Sequence, residues 1–264
     1  MKKLMKWLLG CYLLFFCGFG YSVSCLNGNG KEVDWWIMIK RQGAIGQSND
    51  AVYIDSTEKS VREVNLKDKN ALSWTLKQTM AKISGPINQG NNTESYTWIY
   101  NDQSPNSNRS CNNCGHSKGI VAFNESQGFW VVHSLPRFPT LKAASPDLRD
   151  SIISDSLPSN ISSEGHSFAQ NMLCISLPRY HDKKDQFKNI LNHLLQLKVN
   201  FYPKEKGDLF YKDQIDKKTK SHKKLSLFPQ HRNGIVFKSY SVKTSSKDDL
   251  DVYDYAAKLL NVNL

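Results

Sequence analysis

Apolar residues in this chain fall into short runs divided by polar, turn-prone stretches, a pattern that predicts several strands interleaved with a few helices. The run 33–40, Val-Asp-Trp-Trp-Ile-Met-Ile-Lys, is aromatic and branched without clean alternation, which predicts a strand buried on both faces. Similar runs predict strands at 96–100, 119–123, 129–133, 172–177 and 235–240. Helical spacing appears in three places: Leu72, Thr75, Leu76 and Thr79; Phe187, Ile190, Leu191, Leu194 and Leu195; and Tyr253, Ala256, Ala257 and Leu260, the last with Ser246 and Asp249 as a capping box. Loops rich in Asn, Ser and Pro lie at 85–93, 104–113 and 143–164, and no internal repeat is visible. The expected class is α/β in the mixed α+β sense, a central mixed β-sheet flanked by helices.

The first residues change the picture. Lys2, Lys3 and Lys6 precede an apolar run from Trp7 to Phe19 and the small residues Ser22 and Ser24, which reads as a signal peptide over 1–24. The run is too short for a stable membrane span, so no membrane anchor is expected after cleavage. Without its three lysines the formal charge falls from +11 to +8, still a field that attracts polyanions. The densest basic cluster, Lys217, Lys218, Lys220, His222, Lys223 and Lys224, reads as a solvated loop. Cys25, Cys111, Cys114 and Cys174 remain, an even number suited to an oxidising compartment. Of the three pairings they permit, Cys25 with Cys174 and Cys111 with Cys114 is the expected one. Sequons at Asn91, Asn108, Asn124 and Asn160 agree with export and place those positions at the surface.

Candidate chemistry centres on Gly115-His116-Ser117-Lys118-Gly119. Period-two alternation aims His116 and Lys118 the same way. An imidazole can attack phosphorus or carry a proton while an ammonium holds a phosphate oxygen. The same triplet recurs at His181-Asp182-Lys183 and His222-Lys223-Lys224, so spacing alone does not select it. His133, in Val131-Val132-His133-Ser134, reads by itself as a hydrogen-bonded strand residue, and Trp35, Trp36 and Trp130 read as core. Cys111-Asn112-Asn113-Cys114 is expected to be a small disulfide loop that stiffens the turn presenting His116. Gly-x-Ser-x-Gly, Walker, His-Glu-x-x-His and calcium-loop motifs are missing from the sequence, which sets aside the common serine hydrolases, P-loop motors and zincins.

Several segments together resemble the deoxyribonuclease II family of secreted and lysosomal acid endonucleases. They are Cys25 with Val33-Asp34-Trp35-Trp36, Tyr100-Asn101-Asp102-Gln103, the His116 motif, 128–136 and Leu173-Cys174-Ile175-Ser176, with a weaker match through 234–239 to Asp248-Asp249-Leu250. The resemblance implies a phospholipase D-like lobe over 25–264, and metal-independent cleavage of DNA in acid to 3′-phosphate products without a cofactor. It assigns catalytic roles to His116 and Lys118 and a supporting one to His133, and it matches Cys25 and Cys174 to a family disulfide. It also implies a second His-x-Lys in a C-terminal part that this chain lacks, so the domain is expected to be C-terminally truncated, with its second lobe incomplete. Asn124 stands where the family places an aspartate.

Two functional readings follow. In one, two chains form a homodimer and each donates His116 and Lys118 to a site acting on DNA. In the other, the protein is a catalytically inactive secreted DNA-binding derivative of the family. The expected location in either case is secreted or lysosomal.

Overall fold

The computed structural model describes residues 23–41, 51–64, 79, 96–103, 114–136, 169–196, 199, 201–202, 224–229 and 235–240. Residues 1–22 of the leader, His222 and Lys223 of the third triplet, the helix expected near Tyr253 and most of the one expected near Leu72 lie outside them.

Among the described residues, twelve strands and one helix form in chain order: β1 (Trp35–Lys40), β2 (Ala51–Asp55), β3 (Arg62–Val64), β4 (Tyr96–Tyr100), β5 (Lys118–Phe123), β6 (Gln127–His133), β7 (Gln170–Pro178), β8 (Tyr180–His181), β9 (Lys184–Asp185), α1 (Gln186–Gln196), β10 (Phe201–Tyr202), β11 (Lys224–Leu227) and β12 (Phe237–Tyr240). Eight of the strands make one sheet in the order β10-β4-β5-β6-β7-β1-β2-β3. The α+β class therefore holds, but the sheet expected to be mixed is antiparallel at every described pairing. The β5–β6 turn gives the local reason, since a hairpin can join only antiparallel neighbours. There Asn124 Oδ1 accepts from the backbone N–H groups of Ser126 and Gln127, both at 2.9 Å.

Each face of the sheet carries its own core. On one face Trp36, Met38, Tyr53, Ile120, Phe129, Val131, Met172 and Cys174 pack with Val23, Cys25 and Leu135. The Cys25–Cys174 disulfide pins the N-terminal segment there, and Thr79 Oγ1 accepts from Leu26 N–H at 2.9 Å. On the opposite face Trp98, Tyr100, Val121, Phe123, Trp130, Ile175 and Leu177 receive α1 through Phe187, Ile190, Leu191 and Leu194. Burying each of those four side chains contributes about 1.5–3 kcal/mol. Asp185 caps the helix, its Oδ1 accepting from Lys188 N–H at 3.0 Å.

The first strand differs from expectation. Trp36, Met38 and Lys40 are buried, whereas Trp35 and Ile37 are half-buried and Ile39 is exposed, so β1 is covered fully on one face only. Trp36 and Trp130 are core residues as expected.

Registers place the candidate residues at one end of the central strands. Lys118 at the start of β5 faces His133 at the end of β6, and His133 faces Met172 in β7. Directly opposed residues in antiparallel strands project to the same face, so these three form one cross-strand row.

Candidate active site

His116 sits at the apex of a three-residue turn closed by Ser117 N–H donating to the Gly115 carbonyl at 2.8 Å. The extended geometry expected of the whole motif therefore begins at Lys118. This turn explains why the His116 side chain is 86% exposed while Lys118, one residue into the strand, is only 4% exposed.

One carboxylate joins them. Asp102, two residues beyond the end of β4, places Oδ2 2.8 Å from His116 Nδ1 and Oδ1 against the Lys118 ammonium in an ion pair. Antiparallel pairing of Tyr100 with Gly119 brings the two segments together. Since a carboxylate only accepts, Nδ1 carries a proton in this contact, and in the neutral ring the lone pair is then on Nε2. Asn101 supports the approach, its Oδ1 accepting from Gln103 N–H at 2.9 Å, so the chain turns just where Asp102 must point inward. Asp102 belongs to a segment that carries the family resemblance, yet the sequence assigned it no role.

His133 lies behind this pair. Burial, reinforced by the neighbouring Lys118 ammonium, pushes its imidazole down to about 3, while a hydrogen bond to the Leu135 carbonyl and the Asp102 carboxylate pull the other way. At pH 5 such a ring is neutral.

The other described triplet is built differently. Asp182 and Lys183 both have positive φ, 48° and 63°, and form the turn between β8 and β9. The His181 ring stacks on Phe228 with centroids 3.9 Å apart, and its Nδ1 lies 3.3 Å from Asp182 Oδ2. Asn124, which stands where the family places an aspartate, occupies the β5–β6 turn at the end of β5 away from Lys118. Of the four sequons it alone falls among the described residues, and it lies on the surface turn.

The disulfide Cys25–Cys174 agrees with expectation. Cys114 is also disulfide-bonded, and the Cys111 side of the expected loop lies outside the described residues. Among the described residues no cluster of three or more His, Cys, Asp or Glu is arranged to hold a metal ion, and no helix is long and apolar enough to cross a membrane.

Comparison with known proteins adds an independent line. The chain is 30% identical to deoxyribonuclease-2-beta of Rattus norvegicus over 255 residues, covering 90% of this chain and 64% of the rat protein. It is 27% identical to the rat deoxyribonuclease-2-alpha over 263 residues, covering 92% of this chain and 67% of that protein. Human deoxyribonuclease-2-beta is 31% identical over 214 residues, 76% of this chain and 53% of the human protein. The chain thus spans roughly two thirds or less of the length of these curated relatives. The Deoxyribonuclease II family profile matches residues 24–264, and the chain belongs to that family.

Proposed function

We propose that this protein is a secreted or lysosomal acid endodeoxyribonuclease that hydrolyses DNA phosphodiesters without a metal or cofactor. One observation carries the reading: a single carboxylate, Asp102, holds both His116 Nδ1 and Lys118. That arrangement fixes the tautomer that leaves Nε2 able to attack phosphorus. The bond from Nε2 to phosphorus forms as the bond from phosphorus to the 5′-oxygen breaks. Water then hydrolyses the phosphohistidine to a 3′-phosphate and frees the imidazole. Lys118 donates one ammonium N–H to Asp102 and offers the others to a phosphate oxygen.

The departing 5′-oxygen needs a proton, and a neutral His133 does not supply it. His133 serves instead as uncharged support behind Lys118. The proton comes from His116 of a second chain, so two chains form the working unit. An imidazole donates this proton only in its charged form, which becomes more populated as pH falls, and that gives the acid preference. The family membership and the names of the relatives support DNA as substrate.

Incubation with supercoiled plasmid at about pH 5 with a chelator present tests this reading. Nicking is expected, with activity per chain rising with protein concentration as pairs form. Retardation of the plasmid without cutting would establish the inactive DNA-binding alternative, and activity per chain independent of concentration would refute the two-chain site.

A further inference from the structure

Tyr100, the last residue of β4, lies on the α1 side of the sheet, opposite the face that carries Lys118 and His133. There Trp130 Nε1 donates to Tyr100 Oη at 2.9 Å, and the Ser117 hydroxyl is hydrogen-bonded to the same phenol group. Tyr100 is fully buried, and burial pushes its phenol well above the ordinary range, so it stays protonated. Gly119 makes room: a Cβ there would collide with the Tyr100 hydroxyl and ring and with the Val131 carbonyl. Ser117 is the residue between His116 and Lys118, so this buried hydroxyl grips the motif from beneath while Asp102 grips it from above.

We propose that Tyr100 is a positioning residue of the site, holding the His116–Lys118 segment through Ser117 so that both side chains stay on the two oxygens of Asp102. The inference concerns the geometry of the segment, and its catalytic consequence rests on the function proposed above. Tyr100 touches no reacting atom. Its effect is on how often His116 Nε2 is aimed, which belongs to kcat and leaves DNA binding untouched.

Two readouts separate this proposal from the functional reading. In plasmid nicking by the full chain, Tyr100→Phe and Ser117→Ala are each expected to lower kcat about tenfold or more with KM unchanged, and the double variant to fall no lower than the worse single one. In proton NMR, the downfield signal of the His116 Nδ1 proton bonded to Asp102 is expected in the wild type and is expected to broaden or vanish in both variants. Ser117→Ala, at a half-buried position, reports on the contact should Tyr100→Phe fail to fold. Wild-type kcat in the folded variants, multiplicative losses in the double variant, or an unchanged His116 signal would overturn the proposal. A wild type that does not cut but whose His116 signal responds to both variants would refute the nuclease reading and leave the positioning role standing.

Discussion

The two described His-x-Lys triplets share their letters and differ in everything that makes chemistry. In the first, a strand start sets the lysine and a turn apex lifts the histidine, and a third residue just past the end of another strand ties both to one carboxylate. In the second, the middle residue and the lysine are a tight turn with left-handed backbone, and the histidine ring lies flat on Phe228. Spacing alone is therefore an inexpensive feature of a basic chain. The partner carboxylate is what turns one copy into a candidate site.

Removing that partner should give the largest change. Asp102→Asn leaves the Lys118 ammonium buried without its countercharge, which is expected to destabilise the fold by about 3–5 kcal/mol in urea unfolding. At temperatures where the variant is still folded, nicking is expected to fall about a hundredfold or more, because the amide no longer enforces the Nδ1 tautomer. Unchanged activity would remove the distinction between the triplets.

A smaller effect concerns the third imidazole, which sharpens the comparison by showing which histidine can carry charge. His133 titrates near 3 in the folded protein and near 6.5 when unfolded. Between these values the unfolded chain binds the extra proton, so stability falls as pH drops below about 6.5 and the loss levels off near pH 3. By pH 5 the loss is about 2 kcal/mol. His133→Gln should remove this contribution, so that urea unfolding at pH 7.5 and at pH 5 shows a shallower pH dependence than the wild type. Equal slopes would mean that His133 charges in the native state.

The smallest effect belongs to the second triplet. Lys183→Gly destroys its His-x-Lys pattern but places glycine where φ is 63°. Asp-Gly is a favoured pair for such a hairpin, so the variant is expected to gain about 0.5–1 kcal/mol of stability with unaltered nicking. A loss of activity would give that turn a role that its geometry does not suggest.

Much of the sheet was legible because its strands carry dense branched and aromatic runs: β4, β5, β6 and β7 fall where those runs lie, and α1 follows its apolar spacing. Short elements escaped. Arg62–Val64 has only three residues and Ala51–Asp55 only five, and it is the pairing of β2 with β1 and of β3 with β2 that makes them strands. The site was half legible. His116 and Lys118 stand in one motif, whereas Asp102 is 14 residues from His116 and reaches it through the Tyr100–Gly119 register, which a sequence does not display. A polar Asn-Asp-Gln directly after an aromatic strand was the available signal. The depressed His133 likewise depends on its register with Lys118 and on burial of both. Asn124 reads differently once the β5–β6 turn is known, because its side chain satisfies backbone donors and is not aimed at the site.

The most direct test sets His116→Ala beside His181→Ala in the same plasmid assay at about pH 5 with chelator. The first variant is expected to lose nicking about a thousandfold or more while remaining folded, and the second to cut at the wild-type rate. A His116→Ala protein that still cuts, or a His181→Ala protein that does not, would contradict the account.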